Sequence, residues 1–176
     1  MSIHKFNSFL INLLAVFILF VGYTSTTNLF ESYNLYLCRQ VEIAKEQQYN
    51  IQQMECLAKN IYFEARGEPI VGQFAVAQVV INRVKSPDYP DSICGVVYQT
   101  NQFSWVKERF HRITNGKDWA NALEVAYSVL TNDKPYSKII PKTVLYYHTI
   151  TSHPVWDHSM IRVATIGNHV FYKIKE

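Results

Sequence analysis

The chain has 176 residues, 48% apolar content and a formal charge of +3. This suits one folded domain with an N-terminal appendage, and without repeats or low-complexity tracts it excludes a solenoid or a biased-composition polymer. The mild positive charge suits work on a polyanionic wall or near anionic lipid, but no basic stripe or readout motif accompanies it, so no nucleic-acid partner is expected.

At the N-terminus, His4 and Lys5 precede the apolar run Phe9 to Tyr23. That order matches the positive and apolar regions of an export signal. The run falls short of the roughly 20 residues of a comfortable span. The following "GYTSTT" offers no A-x-A cleavage site. A cleaved signal peptide and an uncleaved anchor therefore both stand for residues 1–26. A buried core helix is the third reading, and the segment has no polar face to support it. Thr24 to Asn34 reads as a polar spacer, and Leu35 to Gln53, charged and rich in Gln, as a solvent-washed helix. Residues 27–53 are thus a spacer, expected to be helical, and the domain proper is expected over residues 54–176. Export would place it in the periplasm or on the outer face of the inner membrane, held there by residues 9–23 if the segment is kept.

From Met54 to Ala65 the apolar residues recur at three- and four-residue steps, one face of an amphipathic helix that Gly67 and Pro69 should end. "GQFAVAQVVINRVKS" predicts a second helix, apolar on most sides and hence central. "SPDYPDSICG" reads as a turn-rich loop, and "GVVYQTNQFSWV" as a short segment of unassigned type. "DWANALEVAYSVLTN" predicts a further helix, capped by Asp118, with Ala120, Leu123, Ala126, Val129 and Leu130 facing inward. "TVLYYHT", "IRVATIG" and "HVFYKI" are β-branched and aromatic, and Gly167-Asn168 between the last two signals a hairpin. Helices first and a small antiparallel sheet last predict an α+β domain. Cys38, Cys56 and Cys94 would meet an oxidising compartment. Cys56 and Cys94 could pair and leave Cys38 over, or remain buried thiols.

The candidate catalytic group is Glu64. It lies in the last turn of the first domain helix, where the helix dipole disfavours a carboxylate, and partial burial among Ile61, Tyr62 and Phe63 would act in the same direction. A carboxylic acid still protonated near neutral pH is what glycosidic cleavage needs, because the leaving oxygen must receive a proton. Arg66 would oppose this if it points at Glu64. The competing reading is an ordinary surface Glu paired with Lys59 or Arg66. Glu68 is the candidate second acid. Carboxyls about 5 Å apart would allow a retaining hydrolase and about 6.5–9.5 Å an inverting one. A third route needs one carboxyl: it protonates the leaving oxygen, then takes the proton of the sugar's own 6-hydroxyl as an anhydro ring closes.

Five pieces occur in a fixed order: "YFEARGE", "GQ.AVAQVV.NRV", "QFS", "YYH" and "ATIGNH.FY". Over about Glu55 to Lys173 the chain resembles the SleB/CwlJ-type cell wall hydrolases. The resemblance implies a lysozyme-like lytic transglycosylase domain that cuts peptidoglycan glycan strands between N-acetylmuramic acid and N-acetylglucosamine, acts as a monomer and uses no cofactor or metal. It implies that Glu64 is the acid/base and that Gln102, Phe103, Tyr147 and His148 contact the sugar, with structural support of the sheet as the rival role for the last two. His169 reads as structural. The resemblance also favours a Cys56–Cys94 bridge.

The stretch "VKERFHRITNGKDW" departs from the family pattern, and no peptidoglycan-binding repeat accompanies the motifs. The first bears on loop conformation and substrate fit; the second favours an exported housekeeping or phage lysis role over a spore role. Two rivals remain. A metal site would have to use His148, His153 and His158, whose five-residue spacing aligns on neither a helix face nor a strand face. A non-catalytic, membrane-tethered wall-binding module would keep the groove and tolerate loss of Glu64. Neither a cysteine nor a serine nucleophile is indicated.

Overall fold

The computed structural model describes residues 3–107, 112–133, 136 and 139–175, with side chains from residue 13 onward, Ser25 excepted. It contains two compact units, Met1–Gln48 and Tyr49–Glu176.

The first unit is helical throughout its described residues, as part of α1 (Ile3–Ala65). It contains a stretch long and apolar enough to cross a membrane, with a mean hydropathy of 1.7. Leu14, Phe17, Leu19 and Phe20 are all exposed. The predicted spacer from Thr24 is helical as well. No Pro precedes Pro69, and the hydroxyls of Thr24, Thr26, Thr27 and Ser32 donate back to the carbonyls three residues earlier. The hydroxyls are thus satisfied inside the helix's own turns rather than by competing with the backbone ladder. Cys38 is an exposed free thiol.

The second unit begins on the same helix and is built around α2 (Ile70–Val84). Gly67 and Pro69 end α1 as expected, and Pro69 is the N-cap of α2. Leu57, Ala58, Ile61 and Tyr62 of α1 pack on Phe74, Ala77 and Val80 of α2. α3 (Ile93–Val97) joins this core with Ile93, Val96 and Val97; Ser92 caps it by accepting from the Gly95 N–H. Cys56 and Cys94 form a disulfide that ties α1 to α3 across 38 positions.

A 3-10 turn at Ser104–Lys107 follows, and residues 108–111 of the divergent stretch lie outside the described residues. α4 (Gly116–Thr131) is capped by Asn115, not Asp118: the Asn115 side chain accepts from the N–H groups of Lys117 and Asp118. Its buried face carries Ala122, Val125, Ala126 and Val129, whereas Ala120 and Leu130 are exposed.

The opposite face of α2 meets the sheet. Ala75, Val76 and Val79 pack with Ala65, Ile140, Val144 and Phe171. α2 is thus buried on two sides, as its nearly continuous apolar character predicts. The sheet has three antiparallel strands, β1 (Tyr146–Thr149), β2 (Met160–Ile166) and β3 (His169–Ile174), in the order β1-β3-β2. Gly167, at φ 58°, turns the β2–β3 hairpin at the predicted Gly-Asn pair.

Candidate active site

Glu64 stands in the last turn of α1, half-buried, and the sheet reaches it through β1. The Tyr147 phenol donates to Glu64 Oε2 at 3.2 Å. Burial pushes the Glu64 carboxyl above its ordinary range, while the Tyr147 hydrogen bond and the Arg83 charge pull it back. Burial dominates, so this carboxyl holds its proton to higher pH than an ordinary Glu. Burial and the neighbouring Glu64 together raise the Tyr147 phenol well above its usual value, so it stays a hydrogen-bond donor at any working pH.

Arg66 does not oppose this. Its guanidinium lies over the Tyr62 ring, 5.0 Å from the centroid. The Tyr62 oxygen in turn accepts from the backbone N–H groups of Thr114 and Asn115, which fixes the segment entering α4. The cation that acts on Glu64 is Arg83, from α2.

Glu68 is engaged elsewhere. Its Oε2 accepts from the Asn168 N–H at 2.7 Å and its Oε1 from Asn168 Nδ2 at 3.1 Å, so both oxygens hold the β2–β3 turn. A Cβ on Gly167 would collide with Glu68 Oε2, which gives glycine a second reason to be there besides its positive φ. His169 is buried beneath this turn, with Nδ1 3.9 Å from Glu68 Oε1 and its ring edge-on to Tyr147 at 5.2 Å. That surrounding fits the structural reading of His169.

The structure corrects the expectation for Phe103. It is 4% exposed, in the core, with the Arg83 guanidinium 5.5 Å over its ring. A ring enclosed in this way cannot stack on a sugar. Gln102 is partly exposed beside it, its N–H bonded to the Gln99 carbonyl. His148 points away from Tyr147 along the strand alternation. It is stacked on Tyr172 at 5.0 Å, its Nδ1 donates to the Thr149 carbonyl at 2.8 Å, and its Nε2 accepts from the Tyr172 hydroxyl at 2.9 Å. With both ring nitrogens used, His148 supports the sheet rather than a ligand. Tyr147 is thus the member of the "YYH" motif that reaches the acid.

Two residues that the sequence reasoning passed over complete the surroundings. Asn82 Nδ2 donates to the carbonyls of Pro141 and Val144, and Arg83 Nε donates to that of Leu145 at 2.8 Å. Together they fasten the chain just before β1. The available hint was an Asn-Arg pair at the end of an otherwise apolar helix.

The fold is an α+β domain whose sheet meets the end of its first helix at Glu64. A family model described as Cell Wall Hydrolase matches residues 67–172, and the chain belongs to that family. The matched range begins just after Glu64. Curated relatives include the spore cortex-lytic enzymes of Halalkalibacterium halodurans, 31% identical over 70% of this chain and 35% of that protein, and of Oceanobacillus iheyensis, 31% identical over 72% of this chain and 44% of that protein. The chain thus spans less than half the length of these relatives. Their names do not support the expectation against a spore role. Among solved structures, the catalytic domain of the germination-specific lytic transglycosylase SleB from Bacillus anthracis superposes with a TM-score of 0.58 at 29% identity, covering 69% of this chain and 93% of that one. The catalytic domain of Bacillus cereus SleB gives 0.53 at 28% identity, over 69% and 89%.

Proposed function

We propose that this protein cleaves the β-1,4 bond between N-acetylmuramic acid and N-acetylglucosamine in peptidoglycan, as a lytic transglycosylase with Glu64 as its single acid/base. The observation that carries this reading is the half-buried Glu64 carboxyl at the end of α1, its pKa raised by burial and its Oε2 held by the Tyr147 phenol. The neutral acid gives its proton to the glycosidic oxygen as the C1–O bond breaks. The carboxylate so formed then takes the proton of the muramic 6-hydroxyl, and O6 bonds to C1 to close the anhydro ring. Atoms balance without a water. Family membership and the likeness to the SleB catalytic domains support the substrate class.

The one-carboxyl route is preferred to hydrolysis because Glu68 is committed to the hairpin, each of its oxygens accepting from Asn168. Gln102 is the remaining candidate for a direct glycan contact. We assign catalysis to residues 54–176, a signal or anchor role to 1–26 and a spacer to 27–53. The apolar start of α1 and the Cys56–Cys94 bridge support export to the periplasm or the outer face of the inner membrane, with the apolar segment as the membrane contact. Purified full-length protein should clear a suspension of sacculi, and Glu64→Gln should slow clearing by about 10²-fold or more. Unchanged clearing by the Gln variant would leave the wall-binding module as the better account.

A further inference from the structure

Arg83 has more contacts than fastening a strand requires. It is 6% exposed and, among the described residues, the one Lys or Arg in the buried set. Its guanidinium is enclosed by the rings of Tyr89 and Phe103, at 5.3 and 5.5 Å. Nε bonds to the Leu145 carbonyl, and Nη1 has no hydrogen-bond partner among the described residues. Among the described residues no carboxylate stands within ion-pair distance of it, and a buried cation so placed is costly to fold around. A neutral donor would suffice to hold the strand, as the Asn82 amide beside it demonstrates.

We propose, on the basis of the glycan-cleaving reading above, that Arg83 is the positioning residue of the acid: it fixes β1 so that Tyr147 meets Glu64, and its buried charge stabilises the carboxylate that Glu64 becomes when its proton leaves. The two tasks follow from one placement. Tyr147 lies two residues beyond Leu145, so the bond to that carbonyl sets where the phenol stands. The charge acts on Glu64 and on Tyr147 alike. Burial raises the pH at which Glu64 gives up its proton; Arg83 favours the state after the proton has gone. Only an interaction that strengthens as the proton moves accelerates the step, and a fixed cation in a dry interior does so without reorganising.

The other titratable groups around this path leave room for that role. Tyr147 from β1 faces Glu64 as a neutral donor. His169 from β3, its pKa lowered by burial, is uncharged at neutral pH. Tyr89, pushed up to about 12 by burial and by its hydrogen bond to Tyr146, is neutral beneath the guanidinium; Asp88 acts on Tyr89 from the same loop.

The test is a carbon-13 NMR titration of the Glu64 carboxyl in the full-length protein in detergent, assigned by its loss in Glu64→Gln. In Arg83→Gln, which keeps a donor for Leu145 and loses the charge, Glu64 should titrate at higher pH than in the wild type. The alkaline limb of sacculus cleavage should move up with it, and kcat should fall at least tenfold with KM within about twofold. In Arg83→Lys, which keeps the charge, Glu64 should titrate as in the wild type; if the Gln variant does not fold, Arg83→Met, which fills the space between the Tyr89 and Phe103 rings without a charge, is titrated in its place with the same expected rise and the same overturning result. An unchanged Glu64 titration in folded Arg83→Gln, or a raised one in Arg83→Lys, overturns the proposal. The titration needs no substrate, so it reads Arg83 even if the wild type releases no muropeptide, which is the result that would remove the glycan-cleaving reading instead.

Discussion

Tyr147 donates to Glu64 across 83 positions of sequence, from the first residue pair of a small sheet to the last turn of a long helix. The bond engages Oε2 and leaves Oε1 as the oxygen able to present the acidic proton. It also lowers the carboxyl against the larger effect of burial. Removing it in Tyr147→Phe should therefore raise the Glu64 pKa. A general acid is active while protonated, so the alkaline limb of the rate profile should move to higher pH. One lost hydrogen bond to a developing charge should reduce kcat about tenfold. Rate profiles of the two proteins on the same sacculi check both.

Glu64 should be a liability for stability. A carboxyl whose folded pKa is raised above its unfolded value is best tolerated below the unfolded value of 4.5, and folding stability is lost as pH rises through the folded pKa. Glu64→Gln should thus be more stable than the wild type at neutral pH, by about 1 kcal/mol, and the difference should shrink as pH falls toward 4. Thermal melts at a series of pH values measure it.

The Cys56–Cys94 bridge closes a 38-residue separation, for which the chain-entropy relation gives about 4 kcal/mol. Gln53 Oε1 also accepts from the Cys94 N–H, so the junction retains one contact without the bridge. Cys56→Ala/Cys94→Ala should lose about 2–4 kcal/mol in urea unfolding, and reductant should lower the Tm of the wild type but not of the double variant.

The hairpin should depend on Glu68 for structure rather than chemistry. Glu68→Ala leaves the Asn168 N–H without its acceptor and should lose about 1–3 kcal/mol. Its kcat should stay within a few-fold of wild type at temperatures where it is folded. Gly167→Ala adds a left-handed strain of about 1–2 kcal/mol and a collision with Glu68 Oε2, so it should destabilise more than an ordinary surface change. Unfolding curves paired with initial rates separate the two effects; a Glu68→Ala variant that is folded and inactive would restore Glu68 as a second acid.

Much of this could be read from the chain because the strongest local patterns agree with the fold. The three- and four-residue spacing before Gly67 gives the end of α1, the apolar character of "FAVAQVV" gives the central α2, and Gly167-Asn168 gives the hairpin. The position of Glu64 at a helix end among apolar neighbours pointed to a raised pKa, but the sign of the net shift waited on where Arg66 points, which is over the Tyr62 ring. What escaped was set by long-range contacts. Arg83 acts through a carbonyl 62 positions away, a partner no local pattern encodes. Phe103 carries a family motif, but its burial depends on how α2 and its own loop close around Arg83. The cap of α4 fell three residues early because Asn115 precedes a Gly that reads as loop yet is helical.

The central claim is that one carboxyl, Glu64, both gives and takes the proton. Mass spectrometry of soluble fragments from sacculi digested by the full-length protein tests it most directly. The account predicts fragments ending in 1,6-anhydro-muramic acid, absent when Glu64→Gln replaces the wild type. Reducing muramic ends, or anhydro ends that persist undiminished in the Gln variant, would contradict it.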